Sequence, residues 1–512
     1  MIYDSVKNTV IYNEFTQEEN KNFFDLSRQK FIHNIDSLYY TVKIKDEHWD
    51  NYLELVSLLD RYKEQCYSNR EKIIVSDIGD DYVMRGIGSS PYAFDVEKTN
   101  CYMMFFIKAK MTNTPEVIVQ IRSQFLWIEG EYEAVEKSLE DVESILSSFN
   151  IEIEEVKENR IDYAYHTNYI QDPLNFFKEE NLNAMQVSRF KRASKEYCFN
   201  GEDSVECDYI TFGRKKSNNI FFRIYNKTKE FIEMGYKQFF NRIWLDNKLI
   251  NQYDFYCYEK SFILQSYRYL DIARLEFYKE FGKDDIYKSS IDKLLNSKDR
   301  DYFAIKKLAD KLTPKITLVM NIEFETRRKF YYSLDDSVNQ LLKVYSDCKD
   351  YAKKLYVKLD NKQLFTNLLT NDVIRFIDMK DTHTRKKNKS TAQWWTRLQQ
   401  CKVNKRNCKI KDVELVRKYQ RDLDIEITKK RLLNNISTYS LYLGKDLEST
   451  CVENTLDFIC TLNENDIESS IKYKQKKFAL LKNRLSEVQI NTDIEKRSYS
   501  LLDNSTGELI EN

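Results

Sequence analysis

The sequence predicts an α+β protein: an antiparallel, curved sheet with packed helices, followed by a mostly helical C-terminal region. Three observations predict it. Short runs rich in β-branched and aromatic residues recur through the first ~280 positions, separated by helical stripes and turn residues. Nine of the ten glycines lie within 79–282 or at Gly507, whereas 283–443 holds none and only Pro314, the mark of a stretch with few tight turns. Apolar residues make up 42% of 512 and aromatics 14%, enough for a real core over two or three domains, which excludes a disordered chain.

Taken in order, residues 1–30 read as an N-terminal extension and 31–330 as the α+β domain. Asn34–Ile44 is the first strand, alternating and aromatic. Trp49, Leu53, Val56, Leu59 and Tyr62 then trace a helical stripe behind Asp46, which reads as its N-cap. Strand-like runs follow at 71–75, 92–97, 101–110 and 116–123. A helix over 131–148 carries Val135, Leu139, Val142 and Leu146 on one face, and a long strand candidate spans Ile151–His166. Two strands are predicted at 208–213 and 219–226, with a helix starting near Thr228. After a helical run at 283–312, Lys315–Arg327 reads as a strand returning to the sheet. Both halves start from an Asp-bearing strand (Asp36, Asp162), which suggests a duplicated α+β unit. Residues 335–512 read as helical and basic, clearest at Val413, Val416, Tyr419, Leu423 and Ile427.

Lys and Arg total 81, as do Asp and Glu, so no global field marks a polyanionic partner. The charge is nevertheless segregated. Residues 131–160 hold ten acids against three bases, and 380–417 hold twelve bases against three acids. Ten scattered cysteines form no C-x-x-C, and none of the four His lies beside a Cys pair, which argues against structural zinc. With no signal peptide and no apolar run near ~20 residues, a soluble, cytoplasmic protein without a membrane partner is expected. P-loop, dinucleotide-binding, H-E-x-x-H and G-x-S-x-G motifs are all missing, so the working groups of an enzyme here are carboxylates, Tyr, Lys and Arg. The 36 Tyr reflect a composition rich in Lys, Asn and Ile, and abundance singles out none of them.

Three segments carry chemistry. The basic stretch 385–406 interleaves Arg385, Lys386, Lys387 and Arg397 with Trp394 and Trp395. Cations neutralise phosphates and an indole face can stack on a base; the competing reading is a solvated loop leading to a helix anchored by its Trp pair. In Glu158–Tyr169, period two places Arg160, Asp162 and Ala164 on one face. In Tyr209–Glu230, a strand, a basic turn with Arg214, Lys215 and Lys216, and a second strand lead to Tyr225, flanked on its own face by Arg223 and Lys227. Two cations beside a phenol suit a tyrosine that attacks a phosphodiester, since they lower the cost of the phenolate and offset charge on the pentacoordinate phosphorus. An edge-strand Tyr with solvated basic neighbours is the plainer alternative.

The motifs R-I-D-x-A at 160–164 and F-G-x-x-x-S-x-x-x-F-x-R-I-Y-N-K-x-x-E at 212–230 resemble the paired signatures of the Rep_trans family, rolling-circle replication initiators of Gram-positive plasmids with related nicking relaxases. Asn34–Val42 is similar to that family's first Asp-bearing strand and Asn321–Arg328 (NIEFETRR) to its later acidic strand, so the resemblance spans about 34–328. It implies a replication initiation protein that binds a double-strand origin and nicks one strand. Tyr225 would be the nucleophile, keeping the 5′ phosphate, freeing a 3′-OH primer and conserving bond energy for rejoining. Arg223, Lys227 and Asp162 stand at the matching catalytic positions. Asp36, Asp162 and Glu323 are the acids placed to ligate Mg²⁺ or Mn²⁺. His166, which replaces a second Asp common in the family, is a further candidate metal ligand or base, and Glu276, in Arg274–Lys279 (RLEFYK), competes with Glu323 for the acidic slot. The resemblance also implies a host helicase and DNA polymerase as partners, since no P-loop is present, and a homodimer. A conjugative relaxase of the same chemistry, or a non-catalytic DNA-binding protein of the same fold, are the alternatives.

Overall fold

The computed structural model describes residues 30–401, apart from 87, 89, 112–113, 179–180, 182–183, 188–208, 213–218, 235–236, 283–284, 298–300, 335–337, 339–341 and 343–348. The extension before residue 30, the basic-turn residues Arg214, Lys215 and Lys216, and the helix expected at 413–427 lie outside the described residues.

Ten strands form one antiparallel sheet: β1 (Phe31–Ile44), β2 (Ile73–Ile74), β3 (Tyr82–Arg85), β4 (Tyr92–Lys98), β5 (Tyr102–Ile107), β6 (Val117–Ile121), β7 (Ile153–Thr167), β9 (Tyr209–Phe212), β10 (Ile220–Asn226) and β11 (Met320–Arg327). Their spatial order is β2-β3-β4-β5-β6-β1-β7-β11-β10-β9. The two Asp-bearing strands, β1 and β7, are neighbours in the interior of the sheet, paired antiparallel from Phe31↔Thr167 to Ile44↔Ile153. From that seam outward each half runs first strand, last strand, then the two before it: β1-β6-β5-β4 on one side and β7-β11-β10-β9 on the other. The α+β class holds, and the strand order repeats as a duplicated unit would.

Alternation along the strands gives the sheet two unlike faces. One carries Leu38, Tyr40, Ile161, Tyr163, Tyr165, Ile322, Phe324, Phe222 and Ile224, all buried. Helices α1 (Trp49–Asn69), α2 (Ser123–Ile128) and α3 (Glu131–Ser148) belong to the first half. Tyr40 bonds Ser138 of α3 at 3.0 Å, and the Tyr52 hydroxyl of α1 donates to the carbonyls of Ile107 and Glu116. Asp46 is not an N-cap: it lies in a short 3-10 turn, makes no capping bond, and pairs with Lys110 at 2.8 Å.

Between β10 and β11 the chain folds into α4 (Lys227–Met234), α5 (Phe239–Asp246), α6 (Gln252–Ile263), α7 (Leu270–Phe281), α8 (Lys288–Leu295) and α9 (Tyr302–Leu312). Their core is aromatic, built on Phe231, Phe240, Trp244, Tyr253 and Tyr258. After α10 (Arg328–Tyr332) come α11 (Lys353–Asp360), α12 (Lys362–Leu368) and α13 (Gln393–Gln399). This stretch is not wholly helical, because β12 (Ile374–Phe376) pairs with β8 (Met185–Val187) in a second, two-stranded sheet. It also lies on the large sheet's structure: Lys358 of α11 is ion-paired to Glu158 of β7, and the Cys401 thiol meets the Phe31 carbonyl at 3.4 Å. Among the described residues no helix is long and apolar enough to cross a membrane.

Candidate active site

The second face of the sheet is polar around the seam. Register fixes which residues stand side by side: Tyr225↔Asn321↔His166 form one row, Arg223↔Glu323↔Ala164 the next, then Glu325↔Asp162↔Ser37, then Arg327↔Arg160↔Tyr39. Neighbouring strands lie about 4.8 Å apart, so groups from β10, β11 and β7 meet without any loop.

Tyr225 is half-buried, and its hydroxyl is the focus of three partners. It donates to Glu323 Oε2 at 3.2 Å and accepts from Lys227 Nζ at 3.0 Å and Asn321 Nδ2 at 2.9 Å. The Asn321 amide also donates to Glu323 Oε2 at 3.0 Å, tying phenol and carboxylate together. The Arg223 guanidinium lies 5.2 Å from the Tyr225 ring centroid and is ion-paired to Glu323. Burial, reinforced by the Glu230 carboxylate, pushes the phenol well above its ordinary value, against the pull of Lys227. The hydroxyl is therefore protonated at neutral pH and needs an acceptor before it can attack.

Lys227, the first residue of α4, is fully buried and serves as the hub. Besides Tyr225 it reaches Glu230 at 2.8 Å, one turn along its own helix, and Asp36 at 3.4 Å. Burial opposes its charge, but Asp36 and Glu230 outweigh it and hold the ammonium protonated. Asp36 projects from the irregularity between Ile35 and Ser37 in β1. It accepts from Ser123 Oγ at 2.7 Å and Trp127 Nε1 at 3.1 Å, both on α2. Burial alone would raise Asp36; Lys227, with help from Lys237, instead holds it far below the usual carboxylate range.

Asp162 lies one row beyond Glu323, gripped by Nε and Nη2 of Arg160, whose guanidinium also reaches Glu325 at 3.0 Å. Burial, with Glu323 and Glu325 adding like charge, pushes Asp162 up to about 7 although Arg160 pulls the other way. Of the residues singled out from sequence, Tyr225, Arg223, Lys227, Glu323, Asp36 and Asp162 thus share one face. Glu276 does not join them. It sits on α7, where its carboxylate accepts from the Tyr269 hydroxyl at 2.5 Å, because RLEFYK is helical and not a strand.

His166 is on the right face but is not a ligand in this arrangement. Its Nδ1 accepts from Trp244 Nε1 at 3.1 Å, and an indole N–H can only donate. The neutral ring must then carry its proton on Nε2, leaving no lone pair for a metal. Burial and Lys227 hold it neutral, well below its usual value, and Trp127 stacks on it at 4.5 Å. The acids fit a divalent ion no better. Lys227 stands against Asp36, Arg160 against Asp162 and Arg223 against Glu323. Among the described residues no three His, Cys, Asp or Glu stand at metal-ligand spacing.

The Trp pair is an anchor. Trp395 is fully buried, and its indole donates to the Thr370 carbonyl at 2.8 Å, so it has no face to offer a base. Trp394 is half-buried and spends one face on Tyr169, with ring centroids 4.9 Å apart. Arg385, Lys386, Lys387 and Arg397 are exposed. Sequence reasoning missed three partners of the site: Asn321, Glu230 and Trp127. Asn321 was readable, two residues before Glu323 on the same strand face, and Glu230 stands at i+3 from Lys227. Nothing in the sequence pointed to Trp127.

No family of protein sequences matches the chain. No curated protein matches it either. Among solved structures it is similar to a rolling circle replication initiator protein from Geobacillus stearothermophilus, with 12% identity and a TM-score of 0.34, over 72% of this chain and 96% of that one.

Proposed function

We propose that the protein cleaves one strand of DNA by transesterification through Tyr225, as an initiator of rolling-circle replication. The observation that carries this reading is the hydrogen bond from the Tyr225 hydroxyl to Glu323, with Lys227 and Arg223 on either side. Glu323 takes the phenolic proton as the oxygen closes on phosphorus. The Oη–P bond forms, the bond from phosphorus to the 3′ oxygen breaks, and that oxygen leaves as an alcohol with a proton from solvent. Lys227 and Arg223 offset the extra negative charge that gathers on the phosphoryl oxygens in between. Asn321 and the ion-paired Arg223 hold Glu323 in line with the phenol. In reverse, the 3′-OH attacks the phosphotyrosine and the proton returns from Glu323, so rejoining needs no nucleotide cofactor.

A metal of the kind the sequence resemblance implies would have to displace Lys227, Arg160 or Arg223 from its carboxylate, so each step is assigned to the side chains alone. The test is to incubate the protein with supercoiled DNA carrying its own locus, with Mg²⁺ and with a chelator, and to look for a nucleotide on the Tyr225 peptide by mass spectrometry. Wild type should give relaxed circles and the adduct, and Tyr225→Phe neither. Wild type that binds this DNA and never relaxes it refutes cleavage and leaves a DNA-binding protein.

A further inference from the structure

A second site opens at the same end of β10. Beyond Tyr225 the chain continues through Asn226, which borders a cleft of about 800 Å³ between the loop after β7, helices α4, α7 and α9, and the segment leading into β11. Five cations line it, Lys229, Arg268, Arg274, Lys306 and Lys315, against three acids, Asp172, Glu233 and Asp271. The balance is more one-sided than the count. Arg274 is buried and committed to Asp271 at 2.7 Å and Asp310 at 2.9 Å, which neutralises one of the acids. Asp172 is turned to the Asn175 amide at 3.1 Å. Arg268, Lys306 and Lys315 are exposed and have no ion-pair partner among the described residues. Every cation around Tyr225, by contrast, is already paired with a carboxylate.

Unpaired cations are the ones that gain from a phosphate, because no existing ion pair has to be given up. Two rings stand among them. Tyr302 is 49% exposed, and Tyr267 is held by the Asn226 amide at 3.3 Å. A cleft of this volume takes a ligand of nucleotide dimensions and not a duplex. Cations around a confined space with tyrosine faces between them are the recognition chemistry of an unpaired strand.

We propose that this cleft holds single-stranded DNA, its phosphates on Arg268, Lys306 and Lys315 and an unstacked base against Tyr302. The inference rests on the strand-cleaving reading only for which strand is held, the one running to or from Tyr225.

Binding is read without cleavage, by fluorescence polarisation of a short labelled oligothymidylate on the full chain over a range of NaCl concentrations. The triple variant Arg268→Ala/Lys306→Ala/Lys315→Ala should bind at least tenfold more weakly. Its plot of log affinity against log salt should be shallower by about 2, from roughly 0.7 per lost phosphate contact. Tyr302→Ala should weaken binding and leave that slope unchanged. A triple variant that binds with wild-type affinity and slope overturns the proposal. So does a duplex, or thymidine monophosphate, bound as tightly as the oligomer. Intact cleft-dependent binding with no adduct at Tyr225 would sink the cleavage reading alone, and an adduct with no cleft dependence would sink this one alone.

Discussion

Replacing Glu323 by Gln keeps a hydrogen-bond partner for Tyr225 and for Asn321 but removes the charge that receives the phenolic proton. The expected result is a fall in adduct formation of about 100-fold or more, read in single-turnover gels, with the fold retained. Asp162 makes a prediction about pH. Its folded pKa, about 7, lies above the ordinary ~3.9, so between those values the folded chain holds a proton that the unfolded chain has lost. Stability from this group is therefore present at low pH and lost as pH rises toward and past 7. Asp162→Asn should flatten the change in denaturation midpoint between pH 5 and 8; a variant with the wild-type slope would show that the carboxyl titrates normally. At this scale much of the site was legible. Arg223 and Tyr225 alternate on β10, Lys227 follows at the same spacing as the first residue of α4, and Asn321 and Glu323 alternate on β11. The tautomer of His166 was not, because it is fixed by Trp244, 78 residues away.

Strands were easier to read than helices, for a physical reason. β7 and β11 bury one face against aromatic side chains and turn the other to charged groups, so their period of two is written in residue type. Helices α6 and α7 carry no clean apolar stripe: in α6 the six consecutive residues Tyr253 to Tyr258 are all buried, Asp254 among them, and in α7 the buried run Ile272 to Leu275 includes Arg274. A helix whose buried positions run on consecutively and include charged residues shows no clear period of 3.6, which is why Arg274–Lys279, in α7, passed for a strand motif. The start of α6 is nonetheless defined, by a capping box in which Asn251 and Asp254 exchange side-chain bonds with each other's backbone N–H. Asn251→Ala should lower stability by about 1 kcal/mol in a denaturant titration. Trp395→Ala, at the buried anchor of α13, should lower it by about 3–5 kcal/mol. DNA affinity measured well below the shifted midpoint should stay unchanged; a selective loss of affinity would return Trp395 to the list of DNA contacts.

At the scale of the whole molecule the β1–β7 seam divides two halves of the same strand order that differ in what they carry. In the first half β6 presents Ile118 and Gln120 to the polar face, whereas its counterpart β11 presents Asn321, Glu323 and Glu325. Duplicated topology was visible in the sequence only as two Asp-bearing strands, since the halves share order and not residues. Because the seam lies well inside the sheet, amides of β1 and β7 should exchange with deuterium far more slowly than those of the edge strands β2 and β9. Comparable uptake across all four would place the stable centre elsewhere. The position of Tyr225 bears on motion. β10 is bonded on one side to β11 and on the other to β9, and helix α4 begins two residues after the tyrosine. Such a phenolic oxygen is a fixed post with no hinge beneath it. Anything joined to it must swivel about its own phosphate linkage, and a free end returning to be resealed has to travel the whole distance itself.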